Sequence, residues 1–287
     1  MKVAQTPAKL GPGPRAVALG TFDGVHLGHR RVIEALLAAG SQPTVVTFDP
    51  HPRTALGNRV DLLTSRERRL ELLAELGVEA TLVVEFTLDV ARLEPQEFAD
   101  EVLRPIGTEI VVAGADFRFG RARQGDLALL ESLGFDTRPV PLLENVSSSR
   151  IRELVRAGDV EGAAAQLGRP VEVEGIVVTG DARGGTLGFP TANLDVRPEL
   201  LMPMNGIYAG AAGDRRAAVS IGTNPHYGGT ERRVEAFLLD FSGDLYGRRL
   251  VVELWERLRD ELSFESEKAL IEQIARDVER TRQATRP

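Results

Sequence analysis

Two of the four histidines, His26 and His29, stand three residues apart in the stretch Leu19-Gly20-Thr21-Phe22-Asp23-Gly24-Val25-His26-Leu27-Gly28-His29. At the start of a helix, residues at that spacing lie on neighbouring positions of one face. The unpaired N–H groups of a first helical turn, with the positive end of the helix dipole, favour an anion. Two imidazoles donating into that position would bind a phosphate. The glycines Gly20 and Gly24 do not follow the dinucleotide fingerprint G-x-G-x-x-G, and no G-K-[ST] closes a P-loop. The bland alternative is an ordinary surface turn.

Other stretches carry related chemistry. His51 sits in Asp49-Pro50-His51-Pro52. The run Gly114-Ala115-Asp116-Phe117-Arg118-Phe119-Gly120-Arg121 offers glycines, aromatics and arginines to a flat ring and a phosphate. Hydroxyls and an arginine at a helix start, Ser147-Ser148-Ser149-Arg150, suit a phosphate again. In the second half, the run from Gly180 through Gly188 and Pro190 to Leu194 is rich in glycine, which lets backbone approach phosphates closely. Thr191 and Asn193, two apart, point the same way on an extended segment. A hydroxyl and an amide oxygen beside phosphates can hold Mg²⁺, which keeps several of its waters.

These side chains need a scaffold. Ala16–Leu19 reads as a buried strand, followed by a glycine-bearing turn and a helix with Val32, Ile33, Leu36 and Leu37 at helical spacing. Thr44–Phe48 is a second strand, which the prolines of the next turn stop, placing His51 on a loop at its C-terminal end. Thr64 with Glu67 forms a capping box ahead of a helix striped by Leu70, Leu73 and Leu76. Ala80–Phe86, Ile110–Ala113 and Phe135–Leu142 continue the alternation of strand and helix, which predicts a doubly wound parallel sheet. In such sheets ligands bind outside the carboxyl ends of the strands. Near residue 170 the pattern changes to short strands with turns, at Val171–Val178, Ile207–Ala212, Ala217–Ile221, Val234–Phe241 and Leu250–Trp255. That predicts a small closed or nearly closed antiparallel β-barrel, ending in a helix whose apolar face is Leu270, Ile271, Ile274 and Val278. The expected domains are residues 1–169 and 170–287.

A formal charge of −7 argues against a nucleic-acid partner, while leaving room for a locally positive pocket. The absence of cysteine excludes disulfides, zinc–thiolate sites and cysteine nucleophiles. No apolar run is long enough to span a bilayer, and the N-terminal segment lacks the apolar core of a secretion signal, so no membrane association and a cytoplasmic location are expected.

The stretch Gly20–His29 resembles the H-x-G-H signature of nucleotidyltransferases, in the form G-x-F-D-G-x-H-x-G-H typical of the bacterial bifunctional riboflavin kinase/FAD synthetase family. Further motifs match in the family's order: the D-P-H-P turn at His51, G-x-D-F-x-F-G at Asp116, S-S-[ST]-x-I-R over Ser147–Arg152, which contains Ser148 and Arg150, and flavokinase P-T-A-N at Pro190–Asn193. Met204–Ala209, Ile221–Gly228, and Val234-Glu235 followed by Asp244-Leu245-Tyr246-Gly247 complete the set. The resemblance implies an α/β doubly wound nucleotidyltransferase (Rossmann-like) domain followed by a small antiparallel β-barrel flavokinase domain with a C-terminal helix. It implies ATP-dependent phosphorylation of riboflavin to FMN, with Glu235 as base and Mg²⁺ on Thr191 and Asn193. It implies adenylylation of FMN to FAD with release of pyrophosphate, with His26 and His29 stabilising phosphate charge. Gly20, Phe22, Asp23, Gly24, His51, Asp116, Ser148 and Arg150 would border the adenylyl site, and Gly180, Gly188, Pro190, Thr191 and Asn193 the kinase site.

The chain departs from the family where Gly185 replaces the usual arginine; Arg183, two residues earlier, is the candidate to take over its phosphate contact. His226 and Tyr227 replace the usual Thr and Phe. The alternatives are an FAD synthetase with an impaired kinase domain, a flavin-binding regulator, and a nucleotidyltransferase acting on another phosphorylated substrate. Homo-oligomerisation stays open.

Overall fold

A computed structural model describes residues 1–180, 188–223 and 232–287. The chain forms two compact units, Met1–Ser148 and Ser149–Pro287. The sequence pattern placed the change near residue 170. Between the two positions lie two helices, Ser148–Arg156 and Val160–Leu167, the second packed against barrel strands of its own unit.

The first unit is built on six parallel strands: β1 (Lys2–Ala4), β2 (Arg15–Leu19), β3 (Gln42–Asp49), β4 (Ala80–Glu85), β5 (Thr108–Gly114) and β6 (Asp136–Val140). Their order is β1-β4-β3-β2-β5-β6. β2 is buried along its whole length, because both faces of the sheet are covered. Its alternation divides the core. Val17 and Leu19 join Val46, Phe48, Leu82 and Val111 on one side. Ala16 and Ala18 join Val45, Ile110 and Val112 on the other, beneath Val32, Ile33 and Leu36 of the Leu27–Leu37 helix. From β2 the chain builds β3 and β4 to one side, then returns to set β5 on the other. The point of reversal is the carboxyl end of β2, where the histidine turn begins. β1, an edge strand paired with β4, was not expected from so short an apolar run.

The second unit is a closed antiparallel barrel of β7 (Val171–Val178), β8 (Ala192–Asp195), β9 (Gly206–Ala212), β10 (Arg215–Thr223), β11 (Arg232–Leu238) and β12 (Arg249–Arg259). The strands run in the order β10-β11-β8-β7-β12-β9 around the barrel. Period-2 alternation sends Val234, Ala236 and Leu238 inward beside Ala217, Val219 and Ile221. Gly210 of β9 must be glycine, since a Cβ there would overlap the Glu253 carbonyl of β12. The terminal helix, Glu267–Gln283, packs against β9 and β10. Its attachment differs from the apolar stripe expected. Asp277 and Thr281 are its buried residues, while Leu270, Ile271, Ile274 and Val278 are half-buried. Arg259 pairs with Asp277 at 2.7 Å. Arg216 donates to the Thr281 carbonyl at 2.9 Å and lies over the Trp255 ring, 5.2 Å from its centroid.

Candidate active sites

In the first unit, the turns leaving β2, β3 and β5 share the carboxyl edge of the sheet. Gly20 closes β2, its N–H donating to the Val46 carbonyl at 3.2 Å. Phe22 turns inward to full burial and brings its ring to 5.2 Å from that of His29. His26 caps the helix, its Nδ1 accepting the His29 N–H at 3.3 Å. With Nδ1 accepting, Nε2 is the ring atom left to donate outward. The two imidazoles stack, with centroids 3.6 Å apart and planes 15° apart. A Cβ on Gly28 would meet the His26 ring at 3.1 Å, so the glycine between the histidines gives that ring its room.

Asp23 is buried and turned into the protein. Its carboxylate accepts the N–H groups of Leu63 at 3.0 Å and Thr64 at 3.1 Å, and the Thr64 hydroxyl at 3.3 Å. The Gly24 N–H in turn donates to the Thr64 oxygen at 3.1 Å. Ser148 donates to the Asp23 carbonyl at 3.0 Å. Thr64 is therefore not the helix cap; Ser65 is, accepting the Arg68 N–H at 3.0 Å.

His51 ends the β3 turn, after a cis Asp49–Pro50 bond, and its Nδ1 accepts the Arg53 N–H at 3.2 Å. Asp116 is exposed on the loop after β5. In the same loop Phe119 is core, stacked on Phe117 at 5.8 Å, while Arg118 pairs with Asp126 at 2.9 Å. Arg150 belongs to the second unit and pairs with Glu153 of its own helix at 3.0 Å.

Residues that reading by motif passed over hold this edge together. Thr64 and Arg69 are the clearest. The buried face of the Arg66–Glu75 helix carries Arg69, Leu72 and Leu73; of the leucine stripe read from the sequence, Leu73 is buried while Leu70 and Leu76 are half-buried. A charged residue one helical turn before two buried leucines was the available signal. Burial depresses the pKa of the Arg69 guanidinium; Asp23 and Asp49 oppose that shift.

In the barrel, β8 lies between β7 and β11, and Asn193 stands directly opposite Glu235. Side chains of such a pair share a face. The Thr191 hydroxyl donates to Glu235 Oε2 at 3.2 Å. Thr191, Asn193 and Glu235 thus converge on the outer face of the barrel, while their neighbours Leu194, Val234 and Ala236 fill its interior. A Cβ on Gly180 would collide with the Asn193 amide, so that glycine lets the amide lie against the chain. Pro190 and Thr191 also border a cleft of about 270 Å³ walled by Phe241 and the Asp244-Leu245-Tyr246 turn. Gly188 has a φ of 86°, a left-handed conformation that glycine adopts without strain. Arg183, Gly185, His226 and Tyr227 lie outside the described residues.

The chemistry of this donor set fits a hard divalent cation. Thr191 and Asn193 supply neutral oxygens and Glu235 a carboxylate, and such a metal asks for few protein ligands when phosphates and water complete its shell.

Comparison with known proteins covers both units. The FAD synthetase family model matches residues 11–151 and the riboflavin kinase family model residues 167–285. A bifunctional riboflavin kinase/FMN adenylyltransferase of Listeria monocytogenes is 37% identical, with 93% of this chain and 91% of the relative aligned. The Bacillus subtilis protein of the same name is 37% identical over 91% of this chain and 89% of its own. The Escherichia coli one is 35% identical over 91% and 90%. A solved structure described as a macrolide-efflux protein from Streptococcus pneumoniae superposes with a TM-score of 0.89 at 32% identity, covering 99% of both chains. Among the described residues no helix is long and apolar enough to cross a membrane.

Proposed function

The chain belongs to the bifunctional riboflavin kinase/FMN adenylyltransferase family, and on that premise we propose which of its residues carry each transfer. It phosphorylates riboflavin with ATP to give FMN, then adenylylates FMN to FAD. Residues 1–169 are assigned to adenylyl transfer and 170–287 to the kinase, in the cytoplasm. The observation that carries the kinase assignment is the convergence of Thr191, Asn193 and Glu235.

Glu235 accepts the proton of the ribityl 5′-hydroxyl as that oxygen bonds to the γ-phosphorus and ADP leaves. The Thr191 hydroxyl holds the carboxylate in place for this role. Thr191 and Asn193 would hold Mg²⁺, which supplies positive charge to the phosphate oxygens when bound. The neighbouring cleft, with Phe241 and Tyr246 on its wall, suits the flat ring of a nucleotide. Gly180, Gly188 and Pro190 border the phosphates.

In the first unit the FMN phosphate attacks the α-phosphorus of ATP, the bond to the β-phosphate oxygen breaks, and pyrophosphate departs. His26 and His29 donate to phosphate oxygens on which charge develops. Gly20, Phe22, Asp23 and Gly24 shape the turn that presents them, and His51, Asp116 and Ser148 border the nucleotide. Neither transfer calls for a covalent enzyme intermediate; both depend on alignment and neutralised charge.

A chromatographic time course with riboflavin, ATP and Mg²⁺ tests this division. FMN appearing first and FAD later is the expected result. FAD from supplied FMN but no product from riboflavin would identify an impaired kinase unit, and no turnover of either would leave a flavin-binding regulator.

A further inference from the structure

The turn between β2 and the histidine helix has an unusual backbone. Phe22, Gly24 and Val25 have φ values of 51°, 83° and 40°. Side-chain-bearing residues, β-branched ones above all, rarely adopt this region, and such conformations persist where surrounding contacts over-determine them. The contacts come largely from one segment, Leu63–Arg69. Its Leu63 and Thr64 clamp Asp23 and Gly24 as described above.

Arg69, one helical turn further on, reaches the other side of the turn. It is 3% exposed. One prong of its guanidinium, Nη1, donates to the Thr21 carbonyl at 2.9 Å; the other, Nη2, donates to the Phe48 carbonyl at 3.2 Å. Thr21 O also receives the Thr47 hydroxyl, at 3.0 Å. Thr21 opens the turn to His26 and His29, and Phe48 precedes the turn to His51. A single buried group therefore spans the carboxyl ends of β2 and β3. It stands 4.0 Å from the Asp49 carboxylate and also feels the negative charge of Asp23. Burying a charge beside carboxylates is a poor route to stability, since an apolar side chain of similar volume often does as well or better. What the planar fork supplies and an apolar side chain cannot is a fixed spacing between two carbonyls.

We propose that Arg69 is a positioning residue for adenylyl transfer, its forked guanidinium setting the spacing between the histidine turn and the His51 turn. The proposal rests on the placement of that reaction at His26 and His29. It predicts that loss of the fork misplaces phosphate donors without touching substrate, and small misplacements at a reacting centre cost rate.

The test uses full-length R69K and R69M. Steady-state kcat and KM for ATP are measured for FMN adenylylation, with riboflavin phosphorylation by the same preparations as internal control and thermal unfolding alongside. R69M is expected to lose ~10-fold to 10²-fold in adenylylation kcat, with riboflavin phosphorylation unchanged. R69K, which keeps the charge but reaches one carbonyl, is expected to recover part of that loss. Wild-type kcat and KM in either variant overturn the proposal, and so does a lowered unfolding midpoint with adenylylation kcat intact well below it. Should R69M fail to fold, R69K decides alone. His29→Ala, assayed in parallel, separates the two readings. Unchanged adenylylation in that variant would overturn the placement of the site, whereas its loss beside wild-type Arg69 variants would overturn only the role of Arg69.

Discussion

The Thr191 hydroxyl and the Glu235 carboxylate, on neighbouring segments of the barrel wall, share a hydrogen bond of 3.2 Å. The bond fixes one carboxylate oxygen and leaves the other for a substrate proton. Glu235→Gln keeps the shape and removes the base. It is expected to lower riboflavin phosphorylation by ~10²-fold to 10⁴-fold, while adenylylation of supplied FMN continues. Equal loss of both activities in a folded variant would contradict the assignment.

Asn193 faces Glu235 across the β8–β11 register. If it shares Mg²⁺ with Thr191, Asn193→Ala should raise the Mg²⁺ concentration at half-maximal riboflavin phosphorylation more than it raises the KM for riboflavin. Titration of both variants, Asn193→Ala and Thr191→Ala, after exhaustive chelation measures this. An unchanged Mg²⁺ dependence in both would remove these residues from the metal.

The stacked pair of His26 and His29 sits at the N-terminus of a helix whose dipole already favours an anion. His29→Ala should cut FMN adenylylation by ~10²-fold or more, the range lost when one preorganised donor is removed. Riboflavin phosphorylation by the same protein should persist, and a product assay from each flavin distinguishes the two.

Asp23→Ala removes the acceptor of two backbone N–H groups and one hydroxyl in a buried place. Each buried donor left unpaired costs about 1–3 kcal/mol. The first unit should therefore unfold at lower denaturant or temperature, with the barrel's transition in place. A stability unchanged by Asp23→Ala would show the clamp to be dispensable.

Asp240 pairs with Arg282 of the terminal helix at 2.7 Å, and the hydrogen bonds from Arg282 hold its carboxyl below the usual range. A carboxylate depressed in the folded state contributes stability above its unfolded pKa and loses it as pH falls through the folded one. Asp240→Asn should therefore lower the unfolding temperature slightly at neutral pH, and the gap should close in acid. An equal gap at every pH would assign the effect to something other than ionisation.

The parallel sheet and the barrel were legible because their signals are local. Strand alternation, the glycine-bearing turn before His26 and the change of pattern after Gly168 are properties of consecutive residues. The family motifs are equally local, and they named the residues that the structure brings together at His26–His29 and at Thr191–Glu235. Thr64 shows where local reading stops. With Glu67 it has the form of a capping box, yet its hydroxyl serves Gly24 and Asp23, forty residues earlier in the chain, and Ser65 caps instead. The terminal helix shows the same limit, since its buried residues are Asp277, paired with Arg259 of the barrel, and Thr281, whose carbonyl accepts from Arg216.

What the sequence by itself determined is the order of the elements, the two kinds of sheet and the chemical types gathered in each motif. These follow from periodicity, turn chemistry and short-range spacing. What only the tertiary structure decided is which distant segments brace those motifs: the register that sets Asn193 against Glu235, the reversal at β2 that puts three turns on one edge, and the buried fork of Arg69 between Thr21 and Phe48. The physical reason is that register and burial are properties of pairs of segments far apart in the chain. An arginine in a helix reads as solvated until the packing of that helix shows what it reaches.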